Sequence, residues 1–146
     1  MSESLSPAAI QEMAVAWYKK LDVHAPVEEI VPMLAKEGVK MVFPEATVEG
    51  IDGFKGWYDR VINIFFDEVH TVKEVNVTPK EDGKAEVKVV VKWEASVWKP
   101  PAPFSERIVL DAYQTWEVQP DPETGNPVVL TYIVDELKYY EGSAKL

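Results

Sequence analysis

The chain has 146 residues, 47% of them hydrophobic, and a formal net charge of −10. That length suits one domain with a buried core, and that charge argues against a phosphate-backbone partner, which needs a basic stripe. The absence of cysteine excludes disulfides and thiolate chemistry and weighs toward a cytoplasmic location.

The N-terminal stretch MSESLSPAAIQEM has neither the basic nor the apolar region of a signal peptide. No apolar run approaches bilayer length. The expectation is one acidic domain over residues 1–146, with no nucleic-acid or membrane partner. Ser6-Pro7 reads as a helix start, a hydroxyl at the N-cap and proline at the first helical position. Ile10, Met13, Ala14, Trp17, Tyr18 and Leu21 follow at helical spacing. Ala25-Pro26 opens a second helix, which Pro32 shortens or kinks and Gly38 ends. Val39 to Phe43 reads as a short strand stopped by Pro44. Asp52 then looks like the N-cap of a third helix with Phe54, Trp57, Tyr58, Val61, Ile62 and Phe65 on one stripe, which leaves Glu45 and Glu49 as wet turn residues.

Beyond Phe65 the period drops from 3.6 to about 2. Val69 to Thr78 is strand-like, and Glu81-Asp82-Gly83-Lys84 is a hairpin turn. In the next strand Val87, Val89, Val91, Trp93, Ala95 and Val97 face one way. The loop KPPAPFSE leads to a strand from Arg107 to Gln119, and DPETGNP turns the chain into a last one from Val128 to Leu137. Three helices followed by long antiparallel strands predict an α+β fold: a cone-shaped roll, with three N-terminal helices on a strongly curved, mainly antiparallel sheet. A sheet so covered leaves a hollow.

This element order, with FPEATVEGIDGFKGWY between the first strand and the third helix, resembles the nuclear transport factor 2-like superfamily in its SnoaL-like and ketosteroid-isomerase-like branches. The resemblance covers nearly the whole chain. It rests on an X-Pro turn ending a strand, a glycine before an aromatic helix and a tryptophan late in a sheet strand. Isomerases, epoxide hydrolases, dehydratases, cyclases and pure binding modules share that fold, so activity has to be argued from the site.

The resemblance implies particular positions. Where ketosteroid isomerases carry a first-helix Tyr donor, this sequence has Trp17; where they carry an Asp-Pro base, it has Phe43-Pro44. A phenyl ring moves no proton, so that route is closed. Leu110-Asp111-Ala112-Tyr113 resembles the strand bearing their second, protonated carboxyl. Strand alternation nevertheless puts Ile108, Leu110, Ala112, Gln114, Trp116 and Val118 on the apolar face and Asp111 on the other; only a bulge would swing it inward. Arg107, Asp111 and Asp135 are the only counterparts to an epoxide-hydrolase Asp-Arg-Asp set, and their spacing does not match it.

His70 is in phase with Val72 and so could point into the cavity mouth, but a lone histidine without a clear carboxylate orienter is more often a helix-end or rim residue. His24 lies in the turn between the first two helices. The two histidines have no metal-ligand spacing, and neither metal nor cofactor is implied.

The candidate catalytic set is therefore Asp111, His70 and Tyr132. The candidate ligand-binding set is Trp17, Phe43, Trp57, Tyr58, Trp93, Gln114 and Trp116, for a small apolar molecule. The KPPAPF loop and the tail Lys138-Tyr139-Tyr140 would lid the opening. The outer sheet face, with Trp98, Val109 and Tyr113 among charges, suits a homodimer. Three readings stay open: an acid–base enzyme of the isomerase, dehydratase or cyclase type, a non-catalytic binding module, and a dimerisation domain with a closed core.

Overall fold

The structure is a computed structural model and describes residues 5–146, so the first four residues of the expected domain lie outside the description. Its first helix, α1 (Pro7–Asp22), begins as expected: the Ser6 hydroxyl accepts from the Ala9 backbone N–H at 3.1 Å. Ile10, Ala14, Trp17, Tyr18 and Leu21 are all buried along its inner stripe.

The helix ends in a Schellman turn: Ala25 N–H donates to Lys20 C=O and His24 N–H to Leu21 C=O. His24 takes the left-handed position of that turn, φ +50°, where glycine is the usual occupant. A four-residue helix, α2 (Val27–Ile30), passes into a 3₁₀ turn (Val31–Met33) at Pro32.

A short strand, β1 (Lys40–Val42), pairs with β2 (Thr47–Glu49), a segment where the sequence pattern predicts only turn residues. The third helix, α3 (Gly50–Ile64), starts earlier than expected, so Asp52 is not its N-cap. Asp52 sits in the first turn, where its charge complements the helix dipole. Gly50 has φ +76°, and its N–H donates to Val39 C=O; only a glycine makes that corner without strain.

Four long strands complete the sheet: β3 (Phe65–Pro79), β4 (Ala85–Val97), β5 (Glu106–Pro120) and β6 (Pro127–Tyr139). The order is β2-β1-β6-β5-β4-β3, antiparallel except where β1 runs parallel to β6. This is the expected α+β roll, three helices on a curved six-stranded sheet.

Surplus residues curve the sheet at four places. In β3 they are the pair Asp67 and Glu68, opposite Ala95 alone, and later Lys73; in β6 they are Asp135 and Leu130. The core lies between the sheet and α1, with Trp17, Phe54, Leu110 and Trp116 fully buried in it. Among the described residues no helix is long and apolar enough to cross a membrane.

Candidate active site

Between α1, α3 and the concave face of the sheet lies a chamber of about 130 Å³. Phe43, Trp57, Tyr58, Val61, Ile62 and Phe65 line its helix side, and Val91, Trp93, Leu110, Ala112 and Val134 its floor. The polar groups among its walls are Tyr18, Glu45, Glu68, His70, Gln114 and Tyr132. The hollow is close in size to apolar protein cavities of ~150 Å³ that accept benzene, which sets the ligand scale at a single ring.

One wall is aromatic by construction. The rings of Phe43 and Trp57 stack at 4.5 Å, Phe65 meets Trp93 edge-on at 5.1 Å, and Tyr18 stacks on the His70 imidazole at 4.7 Å.

The bulge at Asp67 sets the chemistry of the β3 edge. Unbroken alternation from Phe65 would turn Asp67 and Val69 inward. The left-handed Asp67, φ +50°, shifts the phase, so Glu68 and His70 face the chamber and Val69 is exposed.

His70 is then held by Asp22, 48 residues earlier at the end of α1. One Asp22 oxygen accepts from the His70 backbone N–H at 3.0 Å; the other lies 2.6 Å from Nδ1. A carboxylate accepts only, so it fixes the Nδ1–H tautomer and leaves the Nε2 lone pair as the basic atom. The expectation that His70 lacks an orienting carboxylate is thus overturned. The signal was out of reach of spacing, because only packing of α1 on β3 brings the two together.

A polar chain closes the far wall. Trp116 Nε1–H donates to Gln114 Oε1 at 2.9 Å; an indole can only donate, so the amide's orientation is determined. Tyr18 also donates to that oxygen, at 3.1 Å. Having spent its one proton there, Tyr18 accepts from the Tyr132 hydroxyl at 3.0 Å. Burial pushes the Tyr132 phenol up to about 12 and holds Tyr18 well above the ordinary phenol value. Both stay neutral near pH 7 and act as hydrogen-bonding groups, not bases.

The remaining candidates fall on two sides. Phe43, Trp57, Tyr58, Trp93 and Gln114 line the chamber with His70 and Tyr132. Trp17 and Trp116 do not; both are sealed in the core behind the wall. Tyr18, one residue along from Trp17, is the first-helix aromatic that reaches the hollow. Because Trp17 is not among the chamber's walls, its buried indole N–H is no ligand donor.

Asp111 lies on the outer sheet face, where Lys73 Nζ donates to it at 3.0 Å and the Tyr140 hydroxyl at 3.1 Å. The catalytic role suggested for it therefore does not fit. The nearest irregularity on the β6 side adds its surplus residue to β6, and β5 keeps strict phase through Asp111.

The KPPAPF loop contributes nothing to the chamber, and Phe104 is exposed. The tail doubles back, with Tyr140 N–H on Val109 C=O and Ala144 N–H on Arg107 C=O, and brings Leu146 to the rim. Among the described residues no three metal-ligating side chains converge.

No protein-family model matches the sequence, and neither does any curated protein. Solved structures do match in fold. A protein from Novosphingobium aromaticivorans provisionally assigned as an aromatic ring hydroxylase aligns with TM-score 0.77 at 14% identity, covering 92% of each chain. A protein from the same organism, provisionally assigned as a scytalone dehydratase, aligns with TM-score 0.69 at 16% identity over 94% of each. The hexachlorocyclohexane dehydrochlorinase LinA-type3 from Novosphingobium barchaimii aligns with TM-score 0.73 at 14% identity, over 95% of this chain and 92% of that one. The chain shares the curved-sheet α+β fold of these structures, the fold that its sequence resemblance implied.

Proposed function

We propose that the protein binds a compact, largely apolar ring molecule in this chamber and removes a proton from it with His70, held by Asp22. The reaction class is acid–base elimination or isomerisation by the chain's own side chains. The observation that carries this reading is the two-point grip of Asp22 on His70, which presents a basic Nε2 in an apolar wall. The neutral Tyr132–Tyr18–Gln114 chain would orient the ligand at the far wall. Two of the fold neighbours bear names for eliminations, one of hydrogen chloride and one of water. At their low identity they support the class of chemistry and nothing finer.

The test is a panel of hexachlorocyclohexane isomers and cyclic β-hydroxy ketones, read by chloride release and by conjugated-product absorbance. Turnover by the wild-type protein should fall by about 10²–10⁴ in His70→Ala, the usual contribution of a general base. Asp22→Asn should lower it too, since an amide can present its N–H to Nδ1 and favour the wrong tautomer. Ligands that bind but never turn over, with affinity indifferent to His70, would instead establish a binding module.

We also propose a homodimer through the outer sheet face. Trp98, its anchor, is 52% exposed, and Val109 and Tyr113 lie on the same face half-buried.

A further inference from the structure

A second histidine–carboxylate pair stands beside the first. Asp22 and His24 end α1, while Glu68 and His70 begin β3, and the two pairs cross: Asp22 with His70, His24 with Glu68. His24 Nε2 lies 2.5 Å from Glu68 Oε2, and Trp93 Nε1–H donates to Glu68 Oε1 at 3.0 Å. The Glu68 side chain is only 9% exposed, yet it lines the apolar chamber.

Two backbone features produce this placement. The positive-φ, non-glycine residues among the described residues are His24 and Asp67, and each aims one half of this contact. A left-handed backbone at such residues has a conformational cost, and here both instances serve one pair.

A structural staple has no need to face a cavity. A carboxylate has about four lone-pair positions, and His24 and Trp93 occupy two. The remaining acceptor capacity belongs to a side chain that lines a wall otherwise mostly hydrocarbon and aromatic. Glu68 and His70 stand two residues apart on one strand face, roughly 7 Å between backbones, which one ring can span.

From this we infer that Glu68, clamped by His24 and Trp93, is a specificity-determining group of the chamber and selects a ring ligand bearing a hydroxyl whose proton it accepts. The inference rests on the chamber reading above and names the substrate class within it: hydroxylated rings, in preference to hydrocarbons and halides of the same size.

Phenol, toluene and fluorobenzene test it, since they share a ring and nearly a shape while only phenol donates a hydrogen bond. Their affinities for the whole chain are measured by calorimetry. Wild-type protein should bind phenol at least tenfold more tightly than either analogue, although phenol is the costliest of the three to take out of water. Glu68→Gln should bring that preference below threefold while leaving toluene affinity in place.

Equal affinities in the wild type, or a preference that survives Glu68→Gln, would overturn the role of Glu68 and leave the chamber standing. Binding of none of the three would overturn the chamber reading itself. Should Glu68→Gln not fold, contacts by nuclear Overhauser effect between phenol and the Glu68 γ-protons of the wild type decide the matter. Their absence in a phenol-saturated sample overturns the inference.

Discussion

The far wall of the chamber makes a prediction that needs no ligand. Burial pushes the Tyr132 hydroxyl up to about 12 from an ordinary value of 10.0. Between those values the unfolded chain releases this proton and the folded chain keeps it, so folding stability falls as pH rises. The contribution is intact below pH 10 and drains away as pH climbs toward the folded value. For a single phenol moving from 10 to about 12, the stability lost is about 1.4 kcal/mol by pH 11.

Tyr132→Phe removes that proton and leaves the ring contacts with Trp17 and Trp116 in place. Urea unfolding of both proteins, followed by far-ultraviolet circular dichroism at pH 8 and pH 11, isolates the effect, because lysine and surface titrations cancel in the comparison. The stability gap between wild type and variant should move in the variant's favour by about 1.4 kcal/mol over that range. Parallel losses in the two proteins would refute the reasoning, since they would mean that the Tyr132 hydroxyl is wet and the far wall is not sealed.

Trp17 should behave as core. Trp17→Ala should cost about 3–5 kcal/mol in chemical denaturation, whereas Trp17→Phe should stay within about 1.5 kcal/mol, because the indole N–H it deletes has no partner. Trp57→Ala should instead lower phenol affinity in calorimetry, its ring being part of the wall. Light scattering at micromolar concentration should report a dimer, and Trp98→Glu should weaken it by about 2 kcal/mol or more; a monomeric wild type would remove that proposal.

Much of this architecture was legible in the sequence because the patterns were local. The Ser6-Pro7 start, the Pro32 break and the alternation of Val87 to Val97 each follow from a few neighbouring residues, and the observed elements agree with them. The site was legible only where phase was unbroken, as at Gln114 and Trp93. At Asp67 a surplus residue shifts the phase, and nothing in Phe65 to His70 announces it. Periodicity could therefore place His70 near the chamber but could not bring in Glu68. The Asp22–His70 contact depends on how α1 lies across β3, a fact of packing that no window of residues contains. Trp17 and Tyr18 differ by a 100° turn of one helix, and family resemblance pointed to the wrong one of the pair. Asp111 went the other way: its own alternation already placed it outside, and the analogy that drew it inward has no structural counterpart.

The surplus at Asp67 has an evolutionary side. Deleting Asp67 would relax the bulge yet leave Glu68 opposite Ala95 and His70 opposite Trp93, so both acid–base side chains of this strand would keep their inward aim. On such a scaffold the reactive side chains are insulated from a one-residue loss at the very position where the strand is irregular.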